Sequence, residues 1–143
     1  MADGQQTGRL LLIQIGDGAS PEAFTNLCGL TTRNFNLSAN EVDTTTPDCV
    51  NPGDTPQKTS DAGILSRTFT GQGKYVKGAN TNAFMNRVIN GEKFNATVIV
   101  PGLGSFVGPW IVTNFELGGE MEGTMTFNGT WTAAGKLTFT AEA

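Results

Sequence analysis

From Phe94 to the C-terminus, apolar and polar residues alternate with a period of two, and this constrains the fold more than any other feature of the sequence. Phe94, Ala96, Val98 and Val100 fall on one face and Asn95 and Thr97 on the other. Ile111, Thr113, Phe115 and Leu117 alternate with Val112, Asn114 and Glu116, and Gly118-Gly119-Glu120 then opens a turn. Between Glu122 and Trp131, Met125, Phe127 and Trp131 alternate with Thr124, Thr126, Asn128 and Thr130, and Leu137 and Phe139 later alternate with Thr138 and Thr140. Residues two apart share a face only in an extended chain, so these segments read as strands with an apolar core face and a threonine-rich outer face. The chain is therefore expected to be mainly β.

The N-terminal half adds strands, one helix and a long break. Leu10 to Ile15 is a nearly continuous apolar run closed by Gly16-Asp17-Gly18, as in a buried strand ending in a turn. In Thr32 to Leu37, Phe35 and Leu37 oppose Asn34 and Asn36, and Val42 to Thr46 continues as a short β-branched run. Residues 44–65 carry Pro47, Pro52 and Pro56, which cannot donate to a backbone ladder, so this segment reads as a long loop. Ser66 to Val76 alternates again, with Gly71 and Gly73 on the apolar side, which points to a bend or to close approach of another backbone. Its GQGK lacks the Walker spacing and the following Ser or Thr, so it is not a phosphate loop. Asn80 to Asn90 has helical spacing, with Asn80 or Thr81 as cap and Gly91 as stop. Its apolar side would carry Ala83, Phe84, Met85, Val88 and Ile89 and cover one face or mouth of a sheet.

At 143 residues, residues 1–143 read as one domain, with 1–9 a polar, flexible N-terminal arm. Charged residues make up only 15% of the chain, against about 25% in ordinary domains, leaving a polar, uncharged surface suited to contact with copies of itself. A formal charge of −4 without a Lys/Arg cluster argues against binding nucleic acid, which requires cations to displace phosphate counterions. No secretory signal and no membrane span is expected, and synthesis in a cytoplasm follows. There is no histidine, the carboxylates are scattered, and Cys28 and Cys49 cannot close a zinc site, so no catalytic residue, cofactor or metal is expected. Both cysteines read as free thiols, although they flank the Phe35 strand and could be neighbours. The Asn-X-Ser/Thr triplets at Asn36, Asn95 and Asn128 follow from the abundance of Asn and Thr.

The order of elements carries a resemblance. LLLIQIGDG, the PEAFT segment, NEVDTTT, a loop, a strand with paired glycines, one helix and a glycine-punctuated strand-rich half resemble the major tail proteins of long-tailed bacteriophages and gene transfer agents. Pro47 to Gly63, proline-rich and carrying Cys49, departs from that family's pattern. The resemblance implies a β-sandwich or barrel-like tail-tube fold with one flanking helix near residues 80–90 and the long loop at 44–65. It also implies a structural virion protein, not an enzyme, that forms stacked, hexameric rings around a channel for DNA. The implied partners are further copies, the tape measure, the tail terminator and the distal tail protein, with no membrane; the implied location is the virion tail, assembled in the bacterial cytoplasm.

Within that frame Arg9, Pro47, Asp48, Val50, Pro52, Asp54 and Ile64 are candidates for contacts between rings, being poor in core-forming character yet on segments long enough to reach a neighbour. Glu116, Glu120, Glu122, Thr124, Thr126 and Asn128 are candidates for a lumen that must not bind phosphate. Two other readings stay open. One is a monomeric, carbohydrate-binding β-sandwich using Trp110, Trp131 or Tyr75 as a stacking platform, and the other an inner-tube protein of a contractile injection or secretion system.

Overall fold

The computed structural model describes residues 4, 5, 7–16, 23–27 and 29–141. Asp17, Gly18, the Pro-Glu of the PEAFT segment and Cys28 lie outside them. A 3-10 turn at Gly8–Leu10 precedes β1 (Leu12–Gly16), β2 (Phe24–Asn26), β3 (Leu30–Asp43), β4 (Ser60–Lys74), α1 (Ala79–Asn90), β5 (Phe94–Val100), β6 (Gly104–Gly118), β7 (Thr126–Ala133) and β8 (Thr138–Ala141). All strand pairs are antiparallel, in the order β2-β1-β5-β6-β7-β4-β3, with β8 also on β6.

This one sheet folds into two packed layers because β6 serves both. Its first half, Gly104 to Trp110, pairs with β5, and Gly104 to Val107 also pairs with β8; its second half, Trp110 to Gly118, pairs with β7. One layer is therefore β6-β7-β4-β3, and the other β2-β1-β5-β6-β8, a strand that switches sheets making the corner. Phe35 of β3 meets Phe106 of β6 edge-on at 5.2 Å, and Arg33 donates from one guanidinium nitrogen to the Leu11 carbonyl at 3.1 Å. β3 thus passes over the other layer, from Leu11 just before β1 to Phe106 of β6.

The core lies between the layers. Ile13, Ile15, Phe69, Phe84, Phe94, Ala96, Val98, Trp110, Phe127 and Trp131 are buried. The indole N–H groups of Trp110 and Trp131 have no hydrogen-bond partner among the described residues; their ring neighbours are Phe35 for Trp110 and Phe69, Phe84 and Phe115 for Trp131. Each such donor costs about 1–3 kcal/mol, offset in part by contact with aromatic faces.

Gly73 is needed because a Cβ there would overlap the carbonyl of Gly29, the close backbone approach expected of that strand. Gly91, at φ 67°, ends α1 in the left-handed conformation, its N–H bonding to Val88 O, again as expected.

Several boundaries differ from the sequence reading. β3 stops at Asp43, short of Thr46, and β4 starts at Ser60, so the loop is 44–59 and the residues after it form a hairpin arm with β3. Ladder pairing with β3 overrides the nearby prolines, none of which falls inside β4. The N-cap of α1 is Gly78, whose carbonyl accepts from Asn82 N–H at 2.9 Å, in place of Asn80 or Thr81. Ala83 and Ile89 are exposed, while Phe84 is buried and Met85 and Val88 pack against the core. A bulge between Val112 and Asn114 shifts the phase of β6, so Val112 and Phe115 share the core side and Ile111 turns outward. β7 starts at Thr126, leaving Glu122 to Met125 in the connection from β6.

Candidate functional site: the assembly surfaces

The outer face of the β3-β4-β7-β6 layer is built of cross-strand rows. Thr32, Gln72, Asn128 and Glu116 lie side by side, then Asn34, Thr70, Thr130 and Asn114, then Asn36, Thr68, Thr132 and Ile111. These positions share the face opposite Phe35, Phe69, Phe127 and Trp131, because side chains alternate along each strand. Thr113, inside the bulge, donates its hydroxyl to Thr130 O at 3.3 Å and keeps to this face. Glu116 and, at one corner, Lys74 opposite Thr126 are the ionisable groups of these rows, so the face is polar with no net charge. A cleft of about 310 Å³ opens at that corner, between Gln72, Lys74, Glu116 and Asn128.

Of the lumen candidates, Glu116, Thr126 and Asn128 are on this face, whereas Glu120, Glu122 and Thr124 lie in the connection beyond its end. The sequence reading missed the contributions of β3 and β4, which alternate in the same way but were not assigned to the same surface.

Two edges of this layer are open among the described residues. β3 pairs only with β4 along its 14 residues, and β6 from Ile111 to Gly118 pairs only with β7. Four antiparallel strands separate these edges into opposite directions, since each strand reverses the last.

Beyond Arg67, β4 has left β7 and pairs with β3 alone, so Ser38–Asp43 and Ser60–Ser66 form a two-stranded arm. Such a ribbon is marginal by itself in water. Leu37 and Leu65 continue the core face outward, and Val42 and Ile64 lie on the opposite face, Ile64 at 73% exposure. The Lys58 ammonium and Glu41 carboxylate pair at 2.9 Å across the arm, both solvent-exposed and of little energetic weight. At the tip of the arm the Asp43 carboxylate accepts from Thr45 N–H at 2.9 Å. Thr45, through its side chain first and its backbone N–H second, holds that carboxyl below its ordinary pKa of 3.8. In the loop Asp48 accepts from Val50 N–H at 2.8 Å, a local turn that presents Val50 at 84% exposure. Cys49 beside it is free and exposed.

Among the inter-ring candidates, Pro47, Asp48, Val50, Pro52 and Asp54 are therefore in the loop, Ile64 is on the arm, and Arg9 lies apart from them. Arg33 donates to the carbonyl of Arg9 at 3.0 Å, which puts Arg9 beside the start of β3. From Arg33 to the arm's end at Asp43 is about 33 Å of strand. The two groups occupy opposite ends of the molecule.

The stacking-platform reading fails here: Trp110 and Trp131 are completely buried and Tyr75 packs against the core. No group of three or more Cys, Asp and Glu side chains placed to hold a metal occurs among the described residues.

A family model described as phage tail tube protein matches residues 5–139. The chain belongs to the phage tail tube protein family. Its role is structural, as a subunit of a tail tube, and its place is the tail of the particle. The tail of an empty gene transfer agent particle, refined with C6 symmetry, contains a chain 26% identical, with a TM-score of 0.83 over 96% of this chain and all of that one. The virion of a native gene transfer agent particle gives 25% identity and a TM-score of 0.80 over the same shares. The SPP1 tail tube shares the fold, at 14% identity and a TM-score of 0.68 over 95% of this chain and 79% of that one. No curated protein sequence matches the chain. As a tail tube protein, the chain is to be judged by the surfaces it offers to other copies.

Proposed function

We propose that six copies of this tail tube protein close into a ring by joining the free edge of β3 to the Ile111–Gly118 edge of the next copy's β6. The observation that carries this reading is the opposite direction of the two edges, which makes the seam antiparallel like every other pair in the sheet. A heterologous contact of this kind closes when the rotation permits, and the C6 symmetry of the gene transfer agent tail supplies the number. Four strands from each of six copies give a closed barrel of twenty-four, without the exposed edges that invite aggregation.

In this ring the threonine and asparagine rows face the lumen, with Glu116, Thr126 and Asn128 among them and Glu120, Glu122 and Thr124 at its rim. A wall without net charge leaves the counterions of passing DNA in place, so DNA moves through without adhering. The arm and loop of one ring, through Pro47, Asp48, Val50, Pro52, Asp54 and Ile64, meet the Arg9 end of the next. Residues 1–143 act as one tail-tube domain, with 1–9 as an arm that orders in the assembly. The tube forms in the host cytoplasm around a tape measure, on a distal tail protein, and is closed by a tail terminator.

Negative-stain electron microscopy over a range of concentrations, with light scattering on the same samples, tests this reading. Rings or hollow tubes of uniform width are expected. A chain that remains monomeric at every concentration, with or without preformed tube ends as seeds, would refute it.

A further inference from the structure

The two free edges of the β3-β4-β7-β6 layer carry opposite charge at the same end of the molecule. At the start of β3 a cleft of about 320 Å³ is lined by Gly8, Arg9, Thr31, Thr32 and Arg33. Thr32 and Arg33 are consecutive in the strand and point to opposite faces, and no residue of β4 contributes to the lining. The cleft therefore opens at the unpaired edge of β3. It holds two guanidinium groups and no carboxylate.

The Arg33 side chain is fixed by carbonyls. One guanidinium nitrogen donates to Arg9 O at 3.0 Å and to Leu11 O at 3.1 Å, and the other to Leu30 O at 2.8 Å. A guanidinium has more N–H donors than these bonds use and keeps its charge at any working pH, so the carbonyls orient it without neutralising it. The same contacts hold the Arg9 backbone beside β3, while the Arg9 side chain is exposed.

The matching group stands at the other edge. Glu116 ends the row that begins at Thr32 and crosses Gln72 and Asn128, and Glu120 and Glu122 follow in the connection to β7. All three glutamates are exposed. The pair of Lys58 with Glu41 is the one ion pair among the described residues, so Arg9, Arg33 and these glutamates have no partner of opposite charge within the chain, and Lys74 at the same corner supplies none. Within one copy the two groups are held apart by the width of the four-stranded layer, roughly 14 Å.

We infer that the cleft of Arg9 and Arg33 takes the carboxylates of Glu116, Glu120 and Glu122 from the next copy in the ring, as a charged clasp at one end of the strand seam. The inference rests on the ring reading. In an antiparallel seam the start of β3 lies beside the end of the neighbour's β6, so the row that stops at Thr32 is taken up again by the neighbour's glutamates. Closing a barrel staggers the strands across such a seam. The glutamates run on past the end of β6, which keeps a carboxylate beside the cleft under that stagger. Because the cleft is on β3 and the carboxylates are on β6, each copy gives one half of the clasp to each neighbour.

The test pairs two full-length variants, Arg9→Glu and the triple Glu116→Lys, Glu120→Lys, Glu122→Lys. Every substituted side chain is exposed, so both monomers should melt within a few degrees of the parent. At low salt each variant alone should need about tenfold more protein than the parent to form rings, read by light scattering and negative-stain microscopy, since every seam then sets like charges together. Near 1 M salt, where screening acts within about 3 Å, the difference should vanish. Arg9→Gln, which only removes the charge, should raise the requirement about two- to fivefold. An equimolar mixture of the two charge-reversed variants should assemble as the parent does, because alternation around a ring of six puts opposite charges at every seam. Either reversed variant assembling normally by itself, or a mixture no better than its components, would overturn the clasp and leave the ring reading standing. So would an Arg9→Glu chain that forms normal rings and fails only to elongate, which would put Arg9 between rings. If the parent chain forms no rings, both readings fall.

Discussion

Placing one cation in the middle of the threonine and asparagine face is the most direct challenge to the proposed channel. Thr130 lies in the central row, between Thr70 and Asn114, and is half-buried by these neighbours rather than by the core. In Thr130→Lys the backbone carbonyl that accepts from Thr113 remains, and a solvent-side substitution of this kind costs at most about 0.5–1 kcal/mol. The monomer should therefore melt within a few degrees of the parent. In the parent the face carries Lys74 and Glu116, one charge of each sign per copy; in the variant each ring of six gains six cations directed at the lumen. If each meets one phosphate, the slope of log K against log salt becomes steeper by about 5, and affinity falls roughly a thousandfold between 50 and 200 mM salt. The assay is retention of linear double-stranded DNA by purified tubes across that range. Parent tubes should retain none at either salt, and variant tubes should retain DNA at the lower salt and release it at the higher. Well-formed variant tubes that retain no DNA at 50 mM salt would refute the placement of this face in the lumen.

Phe84→Ala removes the ring that joins α1 to Phe94, Phe115 and Trp131, and should cost about 3–5 kcal/mol, read as a shift in the urea midpoint at unchanged m. Replacing residues 44–59 by a two-residue Asn-Gly turn should leave a folded monomer by circular dichroism that makes rings but does not elongate, because the inter-ring contacts go with the loop; an unchanged distribution of tube lengths would count against that assignment. Gly73→Ala should lower the melting temperature of the monomer sharply, since its methyl group would have to displace the backbone at Gly29. The Asp43 carboxyl, held below 3.8 by Thr45, should keep its bond to the Thr45 N–H throughout the ordinary pH range. With a folded pKa below the unfolded one, that anchor is complete above the unfolded value and is lost only as pH falls through the folded one. The protection of the Thr45 amide, its exchange rate relative to the intrinsic rate at the same pH, should fall there, in strong acid, and stay constant between pH 5 and 8.

The class of fold and most of its elements were legible in the pattern of residues along the chain. A period of two cannot be kept by a helix, so the strands from Phe94 onward, the Phe35 and Phe69 strands, and the helix around Phe84 were legible from local chemistry. The glycines at Gly71 and Gly73 signalled a bend or a close approach of another backbone, and the structure shows the close approach at Gly73. Local chemistry also marked the prolines of the loop and the absence of histidine. It failed where pairing decides. The bulge at Val112–Asn114 reverses which residues of β6 face the core, and the extension of β4 back to Ser60 depends on a ladder to β3 that no local preference records. Ile89 keeps helical spacing with Met85, yet it is exposed, because α1 meets the core through Phe84, Met85 and Val88.

The candidate surfaces divide in the same way. Glu116, Thr126 and Asn128 were found from alternation in one strand. That Thr32, Thr70 and Asn34 share their face required the order of strands, because residues such as Thr70 and Thr130, far apart in the chain, become neighbours only through the sheet. That Arg9 and the loop lie at opposite ends of β3, and that the open edges of β3 and β6 run in opposite directions, follows from strand pairing and could not be read along the chain. Sequence periodicity fixes which way a side chain points relative to its own strand. Which strands stand next to one another, and what they leave uncovered, depends on contacts whose free energy is shared among distant residues.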